Sequence, residues 1–596
     1  LKEQTLRPRI FSFCMTAGDD IWVVVGGGDK GGILVKEKQF VSSKQLSERL
    51  STGSRVRQVN VVGDRLHYEL VSGSGPNRGW VSTVSGTKPL LERAFHFETP
   101  TSRISSRTPL PERIPDEFLK TLDDITPERR EEVYKHTEEL AEGEYFGLIF
   151  PFTGEQITEF GAEWLTKALH AAGTLPKDNL VKRFVDSKVF AGGGAGMKAA
   201  VQVEYEKPSD DLHTTLFYKL PLPLPENNRH ITISQFLEGH EVIFNRYFAG
   251  CLPFRTPKFY FGDISLKTSN FILISEKLEL APHKTRGKRQ EPFQFEAPPL
   301  KGMDFALNDV VAKYHALWRT NAIMAAWCHT GKLGKQFKEI AQMPPLPLMF
   351  FPVPERRFRP SWEETKDFVL NVGTGCFPKD IANSDYMAQL EPEAIDVATN
   401  IHCFNDYLKS NNSGEGLGLI HINAQIDNAF YWTDEQGRTD CGMVDFGGMV
   451  RLSWMARILG LMILMASANF RAYYLESASR LFVDTLAEFG GPRLSAEGFY
   501  REVVISDFRN VIDAMRSVGS GGGIYEGLPR DKWTPSMSLR DEMWFKEDVK
   551  TMMMRNPVVQ LVEGLGAWKM GSYYALFSRW REEFGTKAKP KAKPKS

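Results

Sequence analysis

The stretch from Leu419 to Gly448 constrains the fold more than any other part of this chain. Leu419-Ile420-His421-Ile422-Asn423-Ala424-Gln425-Ile426-Asp427-Asn428 runs into the apolar strand Ala429-Phe430-Tyr431-Trp432. After a polar turn at 433–440, a second apolar run, Cys441-Gly442-Met443-Val444, ends in Asp445-Phe446-Gly447-Gly448. Two short apolar runs joined by a polar turn predict a β-hairpin, here with polar residues at both ends. Those residues either cap turns or form a site.

Three upstream segments come in an order that favours a site. Phe184-Val185-Asp186-Ser187-Lys188-Val189-Phe190 predicts a strand, Gly192, Gly193, Gly194 and Gly196 a glycine-rich turn, and 198–206 a returning strand. Such a flap lets backbone N–H groups approach phosphate oxygens, because no side chains stand in the way. Thr214-Thr215-Leu216-Phe217-Tyr218-Lys219-Leu220 predicts a third strand with one lysine near its end. About twenty residues on, Phe236 to Phe244 has helical periodicity and carries Glu241, placed to pair with Lys219. Taken singly, Lys219 is a strand-end lysine and Glu241 a helix acid; their order and separation raise them as a pair.

The ordered series resembles the aminoglycoside phosphotransferase and ecdysteroid-kinase-like (choline-kinase-like) family of small-molecule kinases. The family's catalytic loop runs histidine, small residue, aspartate, four residues, asparagine, and a second strand then ends in aspartate and an aromatic. His421, Asn428 and Asp445-Phe446-Gly447 match; Asn423 stands where the family has aspartate. The resemblance covers roughly 164–491. It implies an α+β, bilobal protein-kinase-like fold using ATP and Mg²⁺, with Gly192, Gly193, Gly194, Gly196 and Lys219 on the phosphates and Glu241 fixing Lys219. It further implies that the backbone of Ser275, Glu276 and Lys277 meets adenine at the hinge between lobes, and that Asn428 and Asp445 hold the metal through oxygen donors. His421, Asn423 and Asp427 form the implied catalytic loop. An amide has no useful basicity, so Asn423 cannot take the proton an aspartate would; loss of such help costs roughly 10² to 10⁴ in rate. Asp427 is expected to cap the loop, with substitution for the base as the alternative. His315 and Trp318, on a predicted helix at 307–321, are expected in the core.

The rest of the chain sets boundaries. Residues 18–95 carry short strands at Ile21–Val25, Val56–Val62, Arg65–Leu70 and Gly79–Val84, separated by glycine-rich turns, which predicts a small β-barrel loosely similar to SH3-like barrels. The Gly26–Gly32 cluster lacks the Gly-Lys-Ser/Thr step of a phosphate loop and is read as a tight turn. Residues 96–160 are expected as a linker with a helix capped by Thr126, 161–282 as an N-lobe and 283–585 as a C-lobe. A second helix is expected over 162–172, ending at Gly173, and a proline-rich connector or inserted loop at 333–359. The tail 586–596, alternating Lys, Ala and Pro, can bury nothing.

Composition excludes some functions. Lys plus Arg equals Asp plus Glu at 74 each, so no global charge points to nucleic acid. The six cysteines include no C-x-x-C pair, which argues against a zinc site or a disulfide framework and for a reducing intracellular compartment, cytoplasmic or, given the non-methionine start, organellar. The apolar run 459–468 is too short to span a bilayer. The expected activity is phosphoryl transfer from ATP to a hydroxyl of a small molecule, weakened by Asn423. The alternative is a catalytically inactive pseudokinase that binds nucleotide or serves as a scaffold in a larger assembly, with a protein partner on the N-terminal barrel.

Overall fold

The computed structural model describes residues 21–85, 88–94, 126–190, 196–222, 239–281, 295–335, 337–341, 345, 349–411, 413–434, 437–448, 451–518, 523–546 and 548–585. Gly192, Gly193 and Gly194, the start of the predicted 236–244 helix and the basic tail lie outside the described residues. The chain divides into two compact units, 1–99 and 100–596.

The first unit is a seven-stranded antiparallel sheet with a two-stranded ribbon of Val84–Ser85 and Lys88–Pro89. Strands β1 (Ile21–Val24), β2 (Ile33–Lys36), β3 (Gln45–Leu50), β4 (Arg55–Val62), β5 (Arg65–Ser72), β6 (Arg78–Ser82) and β7 (Leu91–Ala94) pair in the order β3-β2-β6-β5-β4-β1-β7. Val24, Val35, Leu50, Val56, Leu66, Tyr68 and Val81 are fully buried, the inward side chains of a period-two pattern. The Gly26–Gly32 cluster forms a 3₁₀ turn at Gly28–Lys30, flanked by Gly27 and Gly31 at φ 78° and 71°, values glycine adopts without strain. Pairing of β3 with β7, which a closed barrel needs, is not among the ladders of the described residues.

The second unit opens with α1 (Pro127–Tyr134), where Thr126 Oγ1 accepts from the Arg129 amide at 3.2 Å. Helix α2 (Gly154–Ala172) is broken at Gly161, whose φ of 63° and ψ of −163° are not helical, so the expected 162–172 segment ending at Gly173 is its second part; a first part, opened by a reciprocal Thr153–Gln156 capping box, precedes it. Strands β8 (Val181–Phe190), β9 (Met197–Tyr205), β10 (Thr215–Leu220), β11 (Phe259–Ile264) and β12 (Phe271–Glu276) make a sheet in the order β8-β9-β10-β12-β11, with α3 (Gly239–Tyr247) between β10 and β11. Leu216, Tyr218 and Leu220 join Ala199, Val201 and Val203 in a core against Leu165, Ala168 and Leu169 of α2. Strand alternation therefore turns Phe217 and Lys219 to the opposite face.

Beyond this sheet the chain is mainly helical: α4 (Val310–His329), α5 (Glu355–Asp367), α6 (Ser384–Asn400), α7 (Met455–Met462), α8 (Leu475–Glu488), α9 (Ala496–Arg516), α10 (Val549–Met570) and α11 (Tyr573–Phe584). A small sheet of β13 (Leu280–Ala281), β14 (Phe295–Glu296), β15 (Ala429–Thr433) and β16 (Thr439–Met443) lies among them, and β15–β16 is the predicted hairpin. One apolar core runs from Val242, Ile243 and Phe244 of α3 to Phe577 and Trp580 of α11 and takes in Trp318. The proline-rich segment turns helical earlier than expected, since α5 begins right after Pro354. Among the described residues no helix is long and apolar enough to cross a membrane.

Residues 126–150, expected as linker, are bonded along β11 and the turn after it. Arg129 donates to the Leu266 carbonyl at 2.7 Å, the Thr137 carbonyl accepts from Asn270 Nδ2 at 2.8 Å, and the Glu144 amide donates to the Ile264 carbonyl at 2.9 Å. The fully buried Asp263 carboxylate accepts from the amides of Tyr145 at 2.9 Å, Phe146 at 3.1 Å and Ile264 at 2.9 Å. The rings of Tyr145 and Phe146 then receive the Arg246 guanidinium, 4.3 Å from each centroid. Arg246 lies on α3, five residues after Glu241, so this segment straps the helix that carries Glu241. Arg246→Ala removes a partly buried cation–π contact of roughly 1–2 kcal/mol. Amide hydrogen exchange at Phe446, whose N–H is held by Glu241, is expected to accelerate in that variant and to stay near wild type in Arg246→Lys. Unchanged exchange in Arg246→Ala would contradict the strap.

Candidate functional site

Lys219 leaves the sheet on the face away from α2 and meets two carboxylates. Its ammonium donates to Glu241 Oε2 at 2.6 Å and to Asp445 Oδ1 at 2.7 Å. Glu241 comes from α3 and Asp445 from the end of β16, so one ammonium ties together three elements. The second Glu241 oxygen accepts from the Phe446 amide at 3.2 Å. The Phe446 ring stacks on Phe244 of α3, centroids 4.3 Å apart, and lies 5.3 Å from the His421 ring.

Asp445 sits at φ 63°, left-handed backbone that costs a non-glycine residue roughly 1–3 kcal/mol. The Lys219 ammonium holds its carboxyl well below the usual carboxylate range against the opposing effect of burial, and Lys198 adds to the pull. Lys219 is 4 % exposed while the Asp445 side chain is 39 % exposed, so the carboxylate retains an open side. A buried ion pair contributes little net stability after desolvation. Strained backbone and a desolvated lysine between two acids together make this cluster the candidate site.

The loop before β15 is braced from below. The His421 amide donates to Asn321 Oδ1 at 2.7 Å; the imidazole Nδ1 accepts from the Asn423 amide at 3.2 Å, which leaves Nε2–H to donate to the Val444 carbonyl at 2.8 Å. Burial pushes the His421 pKa down, so the ring is a neutral brace with both nitrogens engaged on the backbone. Asn423 Oδ1 accepts from Gln425 Nε2 at 2.6 Å. Asn428 Nδ2 donates to the Asn423 carbonyl at 2.8 Å, and the Val444 amide donates to the Asn428 carbonyl at 3.0 Å, which puts Asn428 beside the residue preceding Asp445. The Asp427 Oδ2 lies 3.3 Å from Lys301 Nζ; burial raises its pKa against the pull of Lys301 and a hydrogen bond from its own backbone.

Ser275 and Glu276 close strand β12, and Lys277, half-buried, is the first residue beyond it. Strand β12 is paired on both sides. The Glu276 carboxylate is taken by Arg255 Nη2 at 2.6 Å and the Lys258 amide at 3.0 Å. The Glu276 amide donates to the Lys258 carbonyl at 2.8 Å and the Lys277 amide to the Thr215 carbonyl at 3.3 Å, so neither is available to a base. The connection out of the sheet starts at Lys277. Gly196 lies over the lysine: a Cβ there would come 2.9 Å from the Leu220 carbonyl and 3.2 Å from the Lys219 side chain. Only glycine lets the returning strand pass so close.

Sequence reasoning missed Asn321, Phe244 and Gln425, whose roles exist only once α3, α4 and the loop converge. Among the described residues no three His, Cys, Asp or Glu side chains gather as a metal cage. A magnesium ion at this site would rely on Asp445, Asn428 and phosphate oxygens, the sparse protein ligation magnesium usually takes.

No family model matches the chain, and no curated protein does. Among solved structures it is similar to a choline kinase from Cryptosporidium parvum Iowa II, at 8% identity and TM-score 0.30, covering 67% of this chain and 90% of that one. It is also similar to a Plasmodium vivax ethanolamine kinase, at 12% and 0.30 over 78% of this chain and 96% of that one. A microcompartment-associated aminopropanol kinase matches at 12% and 0.28 over 67% and 94%. Superpositions this loose carry no argument of their own.

Beneath the loop, Asp304 is 3 % exposed and accepts from the Tyr314 hydroxyl at 2.6 Å. Burial, with Asp427 and Glu563 nearby, pushes its pKa up to about 8. A carboxyl raised in the folded state supports folding below its unfolded value, and that support is lost as pH rises through about 8. Asp304→Asn keeps an acceptor for Tyr314 and cannot ionise. Its gain in Tm over wild type is expected to grow from pH 5 to pH 9; a gain that is flat with pH, or a loss, contradicts a protonated Asp304.

Proposed function

We propose that the second unit is a nucleotide-dependent phosphotransferase-type module that takes Mg-ATP at Lys219 and Asp445 and directs the γ-phosphoryl group toward a hydroxyl of a small molecule. The observation that carries this reading is the single ammonium held between Glu241 and the strained, half-open Asp445. Phosphoryl transfer asks a protein mostly for positioning and charge stabilisation, and these residues supply a fixed cation, a fixed carboxylate and a rigid loop. Lys219 is the group for the α- and β-phosphates, with Gly196 leaving room above it. Glu241 keeps Lys219 extended; Asp445 and Asn428 present oxygen to a metal. Bound magnesium would neutralise phosphate charge and bridge the phosphates to the protein. Asn423 orients the acceptor without taking its proton. In this reading the first unit is an SH3-like module for a protein partner.

One observation favours a second reading. Asn423 Oδ1 is already bonded to Gln425, so its amide is engaged within the loop and offers no base. A nucleotide-binding pseudokinase needs nothing more. The two readings share the nucleotide and part at turnover. Calorimetry is expected to detect Mg-ATP binding to the wild type and to lose it in Lys219→Met; binding that survives Lys219→Met, or none in the wild type, rejects the nucleotide site. With a panel of hydroxylated metabolites, Asn423→Asp is expected to raise ADP release by roughly 10²-fold or more if only the base is missing. No rise assigns the chain to the pseudokinase reading.

A further inference from the structure

The register of the five-stranded sheet sets a second lysine against the first. Strand β9 returns from the glycine-rich turn and pairs antiparallel with β10, with Lys198 directly opposite Lys219. Residues directly opposed across an antiparallel pair project to the same face, their Cβ atoms about 5 Å apart. The alternation of burial agrees independently: Ala199, Val201 and Val203 fill the core against α2, so Lys198 and Ala200 belong to the face that carries Phe217 and Lys219.

Like charges directly opposed in a sheet are destabilising. Here the opposition occurs beside a glycine that lets the backbone close over Lys219, with three more glycines shortly before it in sequence. Two ammoniums on one face, beside Gly196, suit a ligand with several negative charges. The sequence reading gave Lys198 no role, since it counted one lysine on the third strand.

We propose that Lys198 is a second phosphate-binding cation of this site, forming with Lys219 a two-lysine clamp whose ligand class is the polyphosphate of a nucleotide. The inference rests on the nucleotide-site reading above and adds a residue to it. The clamp predicts binding dominated by phosphate charge, steep in salt, with little contribution from this residue to the base or ribose.

The test measures Kd for Mg-ATP and for adenosine with wild type, Lys198→Ala and Lys198→Arg, at low and high salt, alongside the ligand-free Tm. Lys198→Ala is expected to weaken Mg-ATP at least tenfold, to leave adenosine unchanged and to flatten the salt dependence. Lys198→Arg is expected to stay within threefold of wild type. The ligand-free Tm of Lys198→Ala is expected to hold or rise, since an unfavourable opposition is removed; a fall of many degrees together with loss of adenosine binding would make the residue structural and overturn the proposal. Mg-ATP affinity in Lys198→Ala within twofold of a wild type that binds would overturn the clamp and leave the nucleotide site standing. A wild type that binds no Mg-ATP removes both.

Discussion

The second unit is organised around one ammonium. Lys219 belongs to a sheet strand, Glu241 to the helix beside it and Asp445 to a hairpin 226 residues further along the chain, and its nitrogen bonds both acids. Burying that cation is costly unless both partners stay in place. The surrounding structure answers this cost element by element. The strap at 126–150 grips α3 through Arg246, Phe244 stacks on Phe446, and His421 braces the loop against Val444. Asp445 keeps a left-handed backbone because these contacts over-determine it.

The same arrangement explains why Asn423 matters less to architecture than to chemistry. Its backbone and side chain hold the loop through His421, Gln425 and Asn428, and an aspartate there could keep most of those bonds. What the amide lacks is basicity. Positioning and charge come from Lys219, Asp445 and the glycine at 196, none of which depends on that residue. A nucleotide site can therefore outlive its base, and the account treats binding and turnover as separable properties.

Local pattern was enough to predict the β15–β16 hairpin, the strand bearing Lys219, a helix over Glu241 and the tight glycine turn of the first unit, because each is written within a dozen residues. The 162–172 segment of α2 was legible up to its Gly173 stop, whereas the part before the Gly161 break was not, because its Thr153–Gln156 capping box lies outside the apolar stripe. Residues 126–150 looked like linker because their bonds go to Asp263, Leu266 and Asn270, more than a hundred residues away. Lys198 went unassigned for a similar reason: only register sets it opposite Lys219. Loop roles that depend on convergence, such as Asn321 under His421, leave no local signal at all.

The central claim is that Lys219 and Asp445 release one another to receive a nucleotide polyphosphate and its metal. A crystal structure grown with Mn²⁺ and a non-hydrolysable ATP analogue tests this most directly, because manganese can be located by its anomalous scattering. The account predicts one manganese bound to oxygens of Asp445 and Asn428, with Lys219 on the phosphates and still paired to Glu241. Analogue and metal bound away from this cleft, or Lys219 still locked on Asp445 with analogue bound elsewhere, would contradict it.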